Sequence, residues 1–243
     1  GALTRGACRR RSRQARAYNH ATDLPTNDPE CLRMYTLYYS PGSASLAVHL
    51  ALLETGAPHQ LERLDLQARQ HKTPAYLKLN PNGVVPTLLV DGRPVYECAA
   101  LLMLLAERHP GAGLAPHPGA PERANYLQWL VHFANTLQPA FRAWFYPAEP
   151  AGEEAAVAAQ ESARLRIEAT WDRLNAHLGA AGPHIAGAQY SVADMLGVML
   201  MRWSRNMPRT ALDWPHCRAL AERVRGRPAW RRLYEIEGLT EWA

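Results

Sequence analysis

Residues 79–98, LNPNGVVPTLLVDGRPVYEC, constrain the fold more than any other stretch. Pro86 cannot donate a ladder hydrogen bond, so it stands at the start of a strand rather than within one. The strand itself is Thr87-Leu88-Leu89-Val90, and Asp91-Gly92 after it is the strongest short hairpin signal. A second short strand ends in Val95-Tyr96 and gives way to a helix opened by Glu97. A cis bond at Val85–Pro86 would turn the Val85 amide and carbonyl outward, ready to pair with an extended peptide. The helix behind Glu97 offers its positive N-terminus to a carboxylate. This is the layout of a site for a small peptide that carries carboxylates.

The flanking segments supply the rest of a sheet. Tyr35–Tyr39 read as a strand. Ser43–Leu53 read as a helix stopped at Thr55-Gly56, as a C-terminal glycine would stop it. Leu61, Leu64 and Leu66 mark a second strand, residues 74–79 a short helix, and Asn80–Gly83 a turn. With the hairpin 87–96 and a helix over 97–108, the order is βαβ, a short helix, then ββα. A four-stranded mixed sheet with helices on both faces satisfies that order, with a right-handed crossover. The Pro/Gly-rich run 110–121 contains the linker, and everything beyond reads as helix. Tyr126, Leu130, Phe133, Leu137, Phe141 and Trp144 recur at helical spacing, as do Ile167, Trp171, Leu174 and Leu178. Pro139 predicts a kink in the first of these helices. Ser191-Val192-Ala193-Asp194 is a capping box with Asp for Glu, opening a helix through Arg205. Pro228 suits the first residue of a last helix. The expected organisation is a disordered extension or artefact at 1–33, an α/β domain at 34–112, a linker at 113–120 and an all-helical domain at 121–243.

Charge is unevenly distributed. The formal net charge is +5, but seven of the 27 basic and three of the 22 acidic residues lie in 1–33. The remainder carries 20 basic against 19 acidic residues, which argues against nucleic-acid binding by the folded part. No apolar run approaches the length of a membrane span. Only Lys72 and Lys78 are lysines; the Arg, Ala and Pro bias points to a GC-rich, bacterial coding background. Residues 1–20 contain no acid, which leaves a transit-like peptide as an alternative for the extension. The four cysteines, Cys8, Cys31, Cys98 and Cys217, show neither CxxC nor metal spacing. No metal site and a reducing, cytoplasmic location are expected.

Four motifs fall in a recognisable order: YYSPGSAS (38–45), QHKTPAYLKLNPNGVVPTL (70–88), Glu97 at its helix, and GAQYSVADM (187–195). Together they resemble the cytosolic glutathione S-transferases over residues 34–240. The second motif is most like the theta and delta classes. The resemblance implies a thioredoxin-like domain that binds glutathione, a helical domain that supplies an electrophile pocket, and a homodimer. It also implies conjugation of the glutathione thiolate to small apolar electrophiles, with a detoxifying role. Ala44 stands where beta-class enzymes carry Cys, and Gln138-Pro139 replaces their His-Lys pair.

A thiol of pKa ~8.5 is only about 3% ionised at pH 7. Lowering that pKa by about two units needs roughly 2.7 kcal/mol of preference for the thiolate. One hydroxyl donor supplies about 1.5–3 kcal/mol, and a helix N-terminus adds roughly 0.3–1. A single Ser at the head of a helix is therefore sufficient. Ser43 follows Pro-Gly directly, as the activating Ser does in delta-class relatives, and otherwise reads as an N-cap. Ser45 lies near the theta-like position. Tyr39 is the activator in other classes, but is expected inside the strand here. By resemblance His71, or Lys72 beside it, holds the glycyl carboxylate, Val85 and Pro86 form the peptide-pairing edge, and Glu97 takes the γ-glutamyl ammonium. Cys98 replaces the Ser that binds the γ-glutamyl carboxylate; a thiol is a weaker donor, and an alternative role is a mixed disulfide with glutathione. Among the aromatic residues, Tyr146 and Trp203 are the candidates for lining the electrophile pocket. Two other functions remain open: a glutathione-dependent disulfide reductase or peroxidase, and a non-catalytic glutathione-binding or protein-interaction protein.

Overall fold

A computed structural model describes residues 35–242; the expectations for 1–33 lie outside the described residues. Strand β1 (Tyr35–Tyr39) lies at the centre of a four-stranded sheet of order β2-β1-β3-β4. It runs parallel to β2 (His59–Arg63) and antiparallel to β3 (Thr87–Val90), which pairs antiparallel with β4 (Arg93–Tyr96). Strand β2 ends at Arg63, short of Leu64 and Leu66, because its partner β1 ends at Tyr39 opposite Arg63; the Leu64 amide makes the last bond, to the Tyr39 carbonyl at 2.8 Å. Asp91 and Gly92 have φ of 52° and 76°. Positive φ at both central residues of a two-residue loop matches the right-handed twist of the flanking strands.

Helix α1 (Ser45–Thr55) begins two residues later than Ser43, with Ala44 as N-cap and no side-chain cap. Gly56 closes it with φ 65°. Short helix α2 (Pro74–Leu77) is capped by the Thr73 hydroxyl, which accepts from the Tyr76 amide. Helix α3 spans Cys98–Arg108. The linker is not free: the Leu114 carbonyl accepts the Val192 amide at 2.9 Å, and Leu114 is buried.

The helical part begins with α4 (Arg123–His132), continues through a widened turn of π type (Phe133–Leu137), and ends in α5 (Gln138–Phe145). The expected kink at Pro139 takes this form, because a wider turn relieves the ring's clash with the preceding carbonyls. Helix α6 covers Ala148–Ala181 with a break at Gly152, where φ is 73°. Ile167, Trp171, Leu174 and Leu178 are all buried on it. Helix α7 (Val192–Trp203) starts with the expected capping box: the Ser191 amide donates to Asp194 Oδ2 at 2.7 Å. Asp194 is fully buried, and its Oδ1 accepts the Ile185 amide at 2.8 Å. Helices α8 (Pro215–Arg225) and α9 (Pro228–Glu237) complete the chain. One continuous core joins the sheet, α1 and α3 to α7 and α9, so the helical part packs directly behind the turn that follows β1. Among the described residues, no helix is long and apolar enough to cross a membrane.

Candidate active site

Register brings three loops to one end of the sheet. Tyr38 pairs with Thr87, and Thr87 pairs with Tyr96. The residues just past β1, just before β3 and just past β4 therefore share an edge: Ser40 onward, Pro86, and Glu97 with the start of α3. The Val85–Pro86 peptide is cis. The loop before it is fixed from below, where buried Asn80 donates to the Val84 carbonyl at 2.9 Å and the Tyr76 hydroxyl donates to the same oxygen at 2.6 Å. Val85 and Pro86 lie between that anchored carbonyl and the first ladder pair at Thr87.

The turn Ser40–Ala44 is held on both faces by distant helices. Gly42 has φ 68°, and its amide donates to Glu237 Oε2 at 2.8 Å. Glu237 Oε1 contacts His49 Nδ1 on α1 at 2.8 Å, with both side chains fully buried. The Gly42 carbonyl accepts from Trp203 Nε1 at 3.2 Å and Arg202 Nη1 at 3.4 Å. Arg202 is itself fixed by donating to the Tyr234 hydroxyl at 2.9 Å. Sequence reasoning missed Glu237, His49 and Arg202. A histidine in the otherwise apolar helix SLAVHLALLET was the available signal, but its partner lies 188 residues away.

Ser43 is half-buried in this turn, whereas Ser45 is fully buried. Their hydroxyl oxygens are 2.8 Å apart. Ser45 Oγ donates to the Ser40 carbonyl at 3.1 Å and accepts the Ser40 amide at 3.2 Å. The structure thus places Ser43 at the surface of the turn and Ser45 beneath it, inaccessible to a ligand atom. Ser43 is not the N-cap expected of it; its Oγ accepts the Ser45 amide at 3.3 Å. Tyr39 lies within β1 as expected, buried against His49, and burial followed by the Glu237 charge raises its pKa.

Glu97 occupies the N-cap of α3, exposed, with φ 78°. Positive φ in a long side chain is uncommon and marks positions constrained by their surroundings. Cys98 follows at the first helical position, but its thiol turns away from solvent. The side chain is buried, its Sγ donates to the Ala44 carbonyl at 3.3 Å, and burial pushes its pKa up to about 12. This corrects the expectations for the Cys98 side chain: it is neither offered to a carboxylate nor poised for a mixed disulfide. It braces the end of the Ser43 turn instead, and leaves its backbone amide at the helix N-terminus.

His71 and Lys72 form a 3-10 turn with Gln70. Lys72 Nζ donates to the Asn82 carbonyl at 3.3 Å. Gly83, with φ 57°, fits closely here: a Cβ on it would lie 2.9 Å from Lys72 Nζ and 3.0 Å from the His71 carbonyl. Burial holds the His71 pKa below its ordinary value, aided by the charges of Lys72, Arg69 and Arg142.

On the other side of the turn stands an aromatic wall. The Phe145 and Trp203 rings meet edge to face at 6.0 Å, and Phe145 is 45% exposed. Tyr146 beside it is 52% exposed, and the Arg142 guanidinium lies 4.4 Å over its ring. Arg142 is held by both oxygens of Glu149, at 2.7 and 2.6 Å. A separate cavity of 330 Å³ lies between α4 and α6, lined by Gln128, Trp129, His132, Arg173 and His177. No residue of the turn lines it. Among the described residues, no group of three or more His, Cys, Asp and Glu is placed to hold a metal ion.

Residues 42–108 match the family model of the glutathione S-transferase N-terminal domain. Glutathione S-transferase GST-4.5 of Xanthomonas campestris pv. campestris is 33% identical over 169 residues, covering 69% of this chain and 81% of that protein. Glutathione S-transferase GstA of Escherichia coli O157:H7 is 30% identical over 207 residues, covering 84% of this chain and 98% of that protein. A sphingomonad glutathione S-transferase, solved in complex with glutathione, superposes with a TM-score of 0.73 at 33% identity, covering 84% of this chain and 100% of the other. The chain belongs to the glutathione S-transferase family.

Proposed function

We propose that this protein conjugates glutathione to small apolar electrophiles, with the glutathione thiolate stabilised by the Ser43 hydroxyl. Glutathione transferase activity itself is supported by the names of the curated relatives. The observation that carries the finer reading is Ser43's position. It is the accessible hydroxyl of a turn whose preceding residue, Gly42, is clamped at both its amide, by Glu237, and its carbonyl, by Trp203. A donor fixed in this way costs little reorganisation when negative charge develops on sulfur.

In this reading the tripeptide lies extended along Val85 and Pro86. Its γ-glutamyl ammonium meets Glu97, and its γ-glutamyl carboxylate meets the Cys98 amide at the α3 N-terminus. The glycyl carboxylate meets His71 and Lys72. Phe145, Tyr146 and Trp203 provide the apolar face for the electrophile. Attack by sulfur forms the carbon–sulfur bond of a thioether; proximity and the fixed Ser43 donor supply the rate. We assign glutathione binding to 34–112, linkage to 113–120 and the electrophile wall to 121–243. A homodimer in the cytoplasm completes the reading; exposed Leu127 and Val131 on α4 and Leu165 on α6 are the apolar side chains for its contact.

The test is conjugation to an aryl halide at pH 6.5 by Ser43→Ala. Loss of one charge-assisted donor, about 1.5–3 kcal/mol, corresponds to about a 10- to 150-fold fall in rate. A fall of less than about threefold overturns the role of Ser43.

A further inference from the structure

The hydroxyl of Ser45 has a single proton, and the turn decides where it points. The Ser40 carbonyl can only accept, so Ser45 Oγ donates to it at 3.1 Å. With that proton committed, Ser45 Oγ can only accept from Ser43 Oγ, 2.8 Å away. Ser43 in turn accepts the Ser45 amide at 3.3 Å. Every donor in this set then has an acceptor, with the Ser43 proton turned inward onto a fully buried oxygen. The Ser40 carbonyl also accepts the Ser43 amide at 3.2 Å, so the reverse assignment, Ser45 donating to Ser43, would not strip it of donors; it would set two lone-pair oxygens 3.1 Å apart with no proton between them, and that repulsion favours the inward proton.

Donation to a sulfur requires the Ser43 proton to point outward. We propose that Ser45 is a positioning residue that latches the Ser43 hydroxyl inward while bound glutathione is a thiol and loses that bond when it becomes the thiolate. The inference rests on the reading of Ser43 as the sulfur's donor. In the thiol complex, Ser43 donates to Ser45. On ionisation the thiol proton leaves to solvent, the Ser43 hydroxyl rotates about its Cβ–Oγ bond, and its proton turns to the sulfur. No heavy atom of the turn moves. The lost Ser43–Ser45 bond burdens only the thiolate state, so Ser45 holds the bound thiol's pKa above the value Ser43 alone would set. A pair of serines two residues apart thereby sets the ionised fraction of the co-substrate.

The experiment follows the ultraviolet absorbance of the thiolate in the glutathione complex as a function of pH. Wild type is compared with Ser43→Ala, Ser45→Ala, Ser45→Cys and the double variant Ser43→Ala/Ser45→Ala. Cysteine keeps nearly the size of serine but is a poor acceptor. A bond of ordinary strength predicts that both Ser45 variants lower the thiol pKa by about half a unit to one unit, about a three- to tenfold gain in thiolate over thiol. Ser43→Ala raises the pKa, and the double variant matches Ser43→Ala, because Ser45 acts only through Ser43. Affinity for S-methylglutathione, which has no ionisable thiol, stays within about twofold of wild type if the turn is intact. An unchanged or raised pKa in the Ser45 variants, with Ser43→Ala still raising it, overturns the latch and leaves the Ser43 reading standing. An unchanged pKa in Ser43→Ala overturns both. If neither Ser45 variant folds or binds S-methylglutathione, Ser45 merely pins the turn and the latch is rejected.

Discussion

Glu237, the last residue of α9, reaches across the molecule to His49 in α1, with Oε1 2.8 Å from Nδ1 and neither side chain exposed to solvent. Its second oxygen accepts the Gly42 amide. One carboxylate thus joins the C-terminal helix, the first helix and the turn that carries Ser43. Removing it leaves an imidazole and an amide buried without a partner. Leaving two such donors without an acceptor costs about 1–3 kcal/mol each, about 2–6 kcal/mol together. Glu237→Ala should lower the unfolding free energy in urea by that amount. Glu237→Gln, which can still contact both groups, should lose about 1–2 kcal/mol. Equal losses in the two variants would contradict the role given to these contacts.

Gly42→Ala tests the clamp from the other side. Alanine is disfavoured at φ 68°, and its Cβ would lie 2.9 Å from Arg202 Nη1. Arg202 can move, but only by giving up the Gly42 carbonyl. We expect a loss of about 1–3 kcal/mol together with a several-fold rise in KM for glutathione. A variant with wild-type melting temperature and KM would show that the turn tolerates a side chain.

His71 gives a pH dependence of definite sign. Burial and the cations Lys72, Arg69 and Arg142 hold its pKa below the ordinary value. The unfolded chain therefore takes up this proton first, and the contribution of His71 to stability diminishes as pH falls through about 6.5. A glycyl carboxylate beside it would raise its pKa in the complex, so binding would take up a proton. Affinity for S-methylglutathione should accordingly strengthen a few-fold as pH falls from about 7 toward 5.5, and His71→Ala should flatten the profile. A profile identical in wild type and His71→Ala would remove His71 from the site.

Cys98 and Cys217 should resist alkylation. Burial raises both thiol pKa values to about 12, so almost no thiolate exists at pH 8. Peptide-resolved mass spectrometry of native protein treated with iodoacetamide should find both unmodified, and both labelled after denaturation. Native labelling of Cys98 would restore the mixed-disulfide alternative. Cys98→Ser keeps a donor for the Ala44 carbonyl and should change stability by less than about 1 kcal/mol.

Local chemistry made most of the fold legible. Asp91-Gly92 announced its hairpin because few residues accept positive φ at both turn positions. The buried stripe from Ile167 to Leu178 and the Ser191–Asp194 box read correctly for the same reason: each depends on neighbours within a turn or two. Boundaries slipped where tertiary contact competes with local preference. Strand β2 stops at Arg63 because β1, the strand it pairs with, stops at Tyr39. Helix α1 starts at Ser45 because the Gly42 peptide is held by α7 and α9 rather than by the helix it precedes.

The sequence by itself determined the succession of strands and helices, the mixed four-stranded sheet they form and the helical second half, because strand period, turn chemistry and capping are short-range properties; the strand order β2-β1-β3-β4 came only with the long-range pairing of β1 and β3. Only the tertiary structure decided which serine is accessible, which way the Cys98 thiol points, and that Glu237 and Trp203 fix Gly42 before Ser43. Those outcomes depend on burial and on hydrogen bonds between residues far apart in the chain. No local pattern records a partner 188 or 195 positions away.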